Sequence, residues 1–321
     1  MFITKIGDNI DEAIALLNAN ELVAIPTETV YGLAGNGLNA TVVAKIFEAK
    51  NRPFFNPLIL HFANIEHINN YAVLNEMSLV LAKKFMPGAL TLLLQKKENI
   101  PEIVTAGSNK VAVRVPTHPL THQLLKQLKY PLAAPSANPF GYVSPVTANH
   151  VLQGLQGKIP YILNGEKCEI GIESTIVEIE NDEVILHRSG GVSVENIEAV
   201  LGKKIIVATP LSTPQTSGQL KSHYATTTPL FQGNIDELLK DFKGKKVAVI
   251  SFIKSYLSVD AEHQFILSAS GNLNEAAQNL FATMRKLDTM NYDVILAEIF
   301  PANGLGLAIN DRLKKAQVTE K

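Results

Sequence analysis

Apolar positions recur along the first 208 residues in two alternating rhythms. In "NIDEAIALLNA", Ile10, Ala13, Ile14 and Leu17 share one face at the helical period, which predicts a helix over 9–19. "ELVAIP" follows as a run apolar on both faces, a buried strand stopped by Pro26. The helical period returns in "NATVVAKIFEA" with Val42, Val43 and Ile46, and Asn39 stands where an N-cap belongs. Strand-like runs continue as "LTLLLQ", "VAVRV", "PLAAP" and "IPYIL", with the helical segments "PLTHQLLKQLK" and "SVENIEAVLG" among them. Between "STIVEIE" and "EVILHR" stands Asn181-Asp182, the chemistry of a tight hairpin turn. Helices and strands that alternate around one hairpin predict a mixed α/β sheet domain over 1–208 rather than a purely parallel sheet.

The pattern lapses at 209–229. "TPLSTPQTSGQLKSHYATTTP" is rich in threonine, serine and proline and almost free of aliphatic side chains. Such a segment buries too little surface to fold alone, so it is expected to be a linker lying on something else. From 230 to 321 the alternation resumes in "DELLKDF", "KKVAVISF", "HQFILSA", "NEAAQNLFATMRKLDTM", "YDVILAEIF" and "GLGLAINDRLKKA". That series predicts a second, small open α/β sheet.

Composition narrows the function. The 321 residues are 46% hydrophobic and 18% charged, enough for two cores. Lys and Arg number 29 against 30 Asp and Glu, a net charge of −1, and the parts before and after residue 208 are each close to balance. Strong non-specific binding to nucleic acid through counterion release is therefore not expected, and any polyanion must be met at a local site. Cys168 is the single cysteine, which leaves no internal disulfide or thiolate-rich metal site and suits a reducing compartment. The first residues carry acids within an amphipathic pattern, unlike a signal peptide, and no run reaches ~18 apolar residues. The expectation is a soluble cytoplasmic protein with no membrane partner.

One stretch concentrates candidate chemistry. "KNRPFFNPLILH", residues 50–61, holds Lys50, Arg52 and His61, and no acid occurs from 49 to 65. A solvated loop after a helix would read the same way. Pro53 and Pro57 stiffen it, however, and cations without carboxylates suit an incoming phosphate chain. "IPTETVYGLAG" reads as a capped strand-to-helix turn, and neither a phosphate loop nor a dinucleotide fingerprint follows it. "GLGLAI" at 304–309 reads as a close-packed turn. In "APSANPFGYVSP", Ser136 and Asn138 stand two apart and face one way if the segment is extended. Arg114 lies inside an apolar strand, either snorkelling at an edge or buried toward a carboxylate. Glu173, Ser174 and Thr175 open one strand of the hairpin, and Arg188 ends the other before "SGG". No nucleophile elbow or structural-zinc spacing occurs. Cations and hydroxyls at strand ends suit catalysis by positioning and by neutralising charge on a phosphoryl group.

Taken together, "PTETVYGL", "KNRPFFNPLILH", "VAVRVP", "APSAN" and "ESTIVE" resemble the YrdC-type threonylcarbamoyl-AMP synthase family over residues 20–190. Lys50, Arg52, Ser136 and Asn138 match its K-x-R…S-x-N signature. "SGQLKSHYAT" and residues 230–321 resemble the linker and the small Rossmann-like C-terminal domain of the long form. The resemblance implies a YrdC-like catalytic domain (1–208), a linker over the active site (209–229) and a Rossmann-like domain (230–321). It implies condensation of L-threonine, bicarbonate and ATP to L-threonylcarbamoyl-AMP and pyrophosphate. The product would serve modification of the adenosine next to the anticodon in tRNAs reading codons that begin with A. Lys50 and Arg52 would be catalytic. They would hold ATP together with Asn56, Lys110, Ser136, Asn138, Ser144, Arg188 and Tyr224. Thr29, His61, Arg114, Ala134 and Ser174 would hold threonine, with Arg114 on its carboxylate. Mg²⁺ would arrive on the ATP phosphates, and no resident metal is implied. Lys110 departs from the small hydroxyl residue the family often has there, which puts that ATP contact in question. Two rival readings remain: a carbamoyl-transfer enzyme sharing this domain type, which the single cysteine disfavours, and an RNA-binding or nucleotide-regulated binding module.

Overall fold

The computed structural model describes residues 2–208, 216, 218 and 223–318. The chain opens with β1 (Lys5–Gly7), α1 (Ile10–Asn18), β2 (Val23–Ile25), β3 (Gly32–Asn36), α2 (Ala40–Lys50) and β4 (Ile59–His61). It continues with α3 (Ile65–Ile68), β5 (Ala72–Val73), α4 (Glu76–Phe85), β6 (Leu90–Lys96), α5 (Glu102–Thr105) and β7 (Lys110–Arg114). Next come α6 (Pro119–Gln127), β8 (Leu132–Ala133), α7 (Ala148–Leu155), β9 (Tyr161–Leu163), β10 (Thr175–Glu180) and β11 (Glu183–Arg188). After α8 (Val194–Leu201) and β12 (Ile205–Val207), the remaining elements are β13 (Leu230–Gln232), α9 (Ile235–Asp241), β14 (Val247–Ser251) and β15 (Gln264–Ile266). The last are α10 (Leu273–Leu287), β16 (Val294–Ala297) and α11 (Gly306–Ala316).

The strands through β12 form a 12-stranded sheet in the order β1-β9-β2-β3-β8-β4-β7-β6-β10-β11-β12, with β5 on β6. Parallel pairs such as β4 with β7 alternate with antiparallel ones such as β2 with β3, so the sheet is mixed as expected. The second sheet, β13-β16-β14-β15, is parallel in every pairing. Asn181 and Asp182 both take positive φ between β10 and β11, the tight turn their chemistry predicts.

Local signals set the helix starts. Asn39 caps α2, its side chain accepting from the Thr41 and Val42 amides. Asn9, Ser193 and Asn272 do the same for α1, α8 and α10. One expectation fails. Residues 32–36 form β3, a hairpin partner of β2, where a strand-to-helix turn was expected. The glycines make this strand thin enough to lie under α2, since a Cβ on Gly35 would sit 2.7 Å from Val42 Cγ1.

The second sheet is docked on the first. Arg285 of α10 is buried and donates to the carbonyls of Val143, Ser144 (3.3 Å) and His150 (3.2 Å). Its guanidinium also lies over the Tyr142 ring, whose hydroxyl donates to Asp288 at 2.7 Å. One apolar cluster runs through both sheets, from Leu33, Val113 and Val143 to Tyr224, Phe281 and Leu313. Among the described residues no helix is long and apolar enough to cross a membrane.

Candidate active site

The site grows from strand and helix ends that meet at one end of the central strands of the large sheet. Helix α2 stops because Asn51 turns left-handed at φ 52° and sends its amide back to Glu48 and Phe47. Lys50, in that last turn, is buried, and its ammonium donates to the carbonyls of Ser136 (2.5 Å) and Asn138. Burial, then the charge of Arg52, holds Lys50 well below the ordinary lysine range. Arg52 is buried as well. Its Nη2 donates to Asn56 Oδ1 at 2.7 Å and the Pro57 carbonyl at 3.0 Å, and its Nε donates to the Asn56 carbonyl at 3.1 Å. Phe54 and Phe55 are exposed and stand outside the cavity, whereas Ile59 of the same segment lines it.

Strands β4 and β7 run parallel and end together, pairing His61 with Arg114. Arg114 is buried, which settles its orientation. Its Nη2 meets Glu28 Oε1 at 2.6 Å, its Nη1 donates to Thr29 Oγ1 at 2.9 Å, and its Nε donates to the Gly88 carbonyl at 3.1 Å. The second oxygen of Glu28 accepts from the Thr117 amide. His61 is pushed down to about 3 by burial and by Arg114, so its ring is neutral at neutral pH.

Strands β10 and β11 bring the third group. Arg188 Nη2 donates to Ser174 Oγ and Nε to the Ser174 carbonyl, each at 3.0 Å. The glycines after Arg188 permit this approach, because a Cβ on Gly190 would lie 2.3 Å from the Glu173 carbonyl oxygen. Glu173 is buried and doubly held: Ser144 Oγ donates to one oxygen at 2.5 Å, and Arg312 Nε of α11 to the other at 2.9 Å. Burial alone would raise this carboxyl, but Arg312, then Arg188 and Ser144, hold it at about 2.

Between these groups lies a cavity of about 30 Å³ lined by Thr29, His61, Arg114, Ser136, Ser174 and Arg188, among others. His223 and Tyr224 close one side. Tyr224 is fully buried, stacked on Phe281 with Arg312 over its ring, and His223 meets it edge-on at 4.2 Å. The His223 imidazole is pushed down to about 3, first by burial. The charges of Arg52, Lys50 and Arg188 also act on it in that direction, against Glu173. Arg188 lines the same cavity as His223, and Phe140 stands between His223 (ring centroids 5.9 Å apart) and the Arg52 guanidinium, 6.0 Å from its ring.

Residues 15–190 match the family described as "Telomere recombination", and residues 192–317 match "Threonylcarbamoyl-AMP synthase, C-terminal domain". The threonylcarbamoyl-AMP synthase of Pyrococcus abyssi is 40% identical over 95% of this chain and 92% of its own length. The chain belongs to the threonylcarbamoyl-AMP synthase family. The Bacillus subtilis synthase is 41% identical over 96% of the chain and 92% of its own length. The structure of P. abyssi Sua5 complexed with L-threonine superposes with a TM-score of 0.90 at 39% identity, over 98% of this chain and 97% of that one.

Against the synthase signature, the structure gathers Thr29, His61, Arg114, Ala134, Ser136, Ser174, Arg188 and Tyr224 around the cavity. Lys50 reaches this lining through the Ser136 carbonyl and Ser144 through Glu173, while Arg52 with Asn56 lies behind Phe140, whose ring meets His223 edge-on. Two expectations need correction. Lys110 begins β7 while Arg114 ends it, and its ammonium pairs with Glu178 and with Glu180 at 2.9 Å, away from the cavity. Asn138 does not share a face with Ser136. Its amide turns into its own loop, donating to the carbonyls of Pro139 (2.9 Å) and Tyr142 (2.7 Å). Glu28, Glu173, His223 and Arg312 were not singled out as binding residues. Arg312 carried a signal: it lies on the helical stripe of Ala308, Ile309, Leu313 and Ala316, where a charge is buried only if it is paired. Of the 209–229 linker, only residues 216, 218 and 223–229 fall within the described residues.

The two neutral imidazoles set an acid limit. A histidine held neutral by the fold contributes stability that is complete above its unfolded value near 6.5 and is lost as pH falls toward about 3. The expected result is a urea midpoint that falls from pH 6.5 downward. Each ring adds up to about 1.4 kcal/mol per pH unit. Urea melts at half-unit steps would check this, and a midpoint flat from pH 6.5 to 5 would contradict it.

Proposed function

We propose that this protein condenses L-threonine, bicarbonate and ATP into L-threonylcarbamoyl-AMP with release of pyrophosphate. The observation that carries the reading is one cavity lined by Arg188 and by Ser136, whose carbonyl accepts from Lys50, with a neutral end made by His61, Thr29 and the Arg114–Glu28 pair. The cations suit a triphosphate, and the neutral end suits an amino acid. P. abyssi Sua5 has been solved with L-threonine, and by likeness Thr29, His61, Arg114, Ala134 and Ser174 take threonine here. Arg114 retains N–H groups for a carboxylate beyond those facing Glu28, Thr29 and Gly88. Neutral His61 offers a ring nitrogen to the substrate amine or hydroxyl.

In the chemistry we propose, the threonine amine nitrogen bonds to the carbon of carbon dioxide and gives up a proton to water, or bonds to the carbon of bicarbonate as a C–O bond breaks and water leaves, giving a carbamate. One carbamate oxygen then attacks the α-phosphorus, and the bond from that phosphorus to the pyrophosphate oxygen breaks. No protein nucleophile takes part. Lys50, Arg52 and Arg188, with Asn56 and Ser136, hold the phosphates and meet the charge that develops on them. Among the described residues no three His, Cys, Asp or Glu side chains are gathered for a metal. We therefore place Mg²⁺ on the ATP phosphates, where it would neutralise their charge. A cavity of about 30 Å³ is far smaller than ATP, so we infer that its walls widen when ATP enters. The product would pass to cytoplasmic machinery that transfers threonylcarbamoyl to tRNA.

The test is pyrophosphate release from ATP and bicarbonate with threonine, with serine, and with no amino acid. Release that requires threonine is the expected result. Release indifferent to threonine, or none while ATP still binds, would replace this reading with a nucleotide-regulated binding protein.

A further inference from the structure

Glu173 poses an electrostatic difficulty for any site that takes a triphosphate. Its carboxylate lines the cavity beside Ser174 and Arg188, where a second anion is expected to bind. Buried carboxylates need partners, and a carboxylate offers much the same acceptor geometry as a phosphate. Glu173 has two hydrogen-bonding partners, Ser144 at 2.5 Å and Arg312 at 2.9 Å, and the Arg188 guanidinium also acts on it electrostatically. Ser144 and Arg188 are candidate ATP ligands. Arg312 is not: it comes from α11, the last helix of the second sheet.

Arg312 is built in from that side. Its Nη1 donates to Asp311 at 2.7 Å, and its guanidinium carbon lies 5.2 Å from the centroid of the Tyr224 ring. It is among the largest fully buried side chains of the described residues. We propose that Arg312 is a positioning residue that holds the Glu173 carboxylate away from the phosphate-binding cations, and that the second sheet acts on ATP binding through this pair. The proposal rests on the synthase reading and extends it to a residue outside the signature. Without Arg312, the carboxylate keeps Ser144 on one oxygen, and the freed oxygen turns to Arg188 and competes with phosphate for it. Loss of packing alone would not be repaired by altering Glu173. Loss of charge control would.

The experiment compares wild type, Arg312→Met and Arg312→Met/Glu173→Gln. It measures affinity for a non-hydrolysable ATP analogue, KM for ATP and for threonine in pyrophosphate release, and cooperative thermal unfolding. Arg312→Met is expected to weaken the analogue and raise KM for ATP about tenfold, with KM for threonine changed less than about twofold. The added Glu173→Gln is expected to bring ATP affinity back to within about threefold of wild type. Unchanged ATP affinity in Arg312→Met overturns the proposal. So does a loss shared by both substrates that Glu173→Gln does not reverse. Should Arg312→Met fail to fold, the double variant decides. A folded double variant that binds the analogue like wild type supports the proposal, because the uncompensated carboxylate was then the lesion. A double variant that also fails to fold assigns Arg312 to the core and overturns it. Wild type that binds the analogue yet releases no pyrophosphate with threonine rejects the synthase reading itself, which separates that failure from this one.

Discussion

Arg52→Ala is expected to lower kcat/KM for ATP about 10³-fold, a loss of about 4 kcal/mol of transition-state stabilisation. The buried guanidinium is preorganised by Asn56 and Pro57 before any substrate arrives. It therefore need not be ordered at the moment charge develops on the departing pyrophosphate. Alanine removes both the charge and the fork and leaves the Asn56 and Pro57 oxygens without their donor. Arg52→Lys keeps the charge alone and is expected to recover only part of the loss, because an ammonium cannot span the same acceptors. Lys50→Ala is expected to act in the same direction. Burial and Arg52 already disfavour the Lys50 ammonium, and an arriving triphosphate reverses both effects. The measurement is steady-state pyrophosphate release alongside threonine binding. Near-normal turnover in folded Arg52→Ala would remove this residue from the phosphate clamp.

Arg114→Ala is expected to raise KM for threonine about 10²-fold and to leave KM for ATP within about threefold. The change has two parts. It deletes the cation proposed to meet the substrate carboxylate, and it strands Glu28 as a buried anion at the same place. Removing one partner of a buried pair costs about 3–5 kcal/mol of stability, so a lowered melting temperature is expected as well. Arg114→Met with Glu28→Gln separates the two parts. Stability is expected to return, and threonine affinity is not. Equal losses for ATP and threonine in the folded double variant would show that Arg114 supports the whole site rather than the amino-acid end.

Much of this arrangement is legible in the sequence where the signal is local. Asn39 before an apolar stripe marks the start of α2, and Asn181-Asp182 marks the hairpin. Partnerships between distant residues are less legible. Arg114 in an apolar strand announces a buried charge, but not that Glu28, 86 residues away, neutralises it. Glu173 stands at a strand start like an edge residue, and its partner lies 139 residues on, in helix α11. Residues 32–36 misled because two glycines resemble a turn when the thin strand beneath α2 is out of view. The side-chain direction of Asn138 depends on a loop held by Tyr142 and Arg285, and spacing alone carries no record of that.

The apolar cluster that passes from the large sheet through Tyr224 and Phe281 into the small one bears on how the chain comes apart. Each sheet also has an apolar cluster of its own, but the largest cluster is shared, so melting one sheet exposes the flank of the other to water. Heat and denaturant then meet one cooperative unit rather than two beads on a string, and calorimetry should trace a single transition.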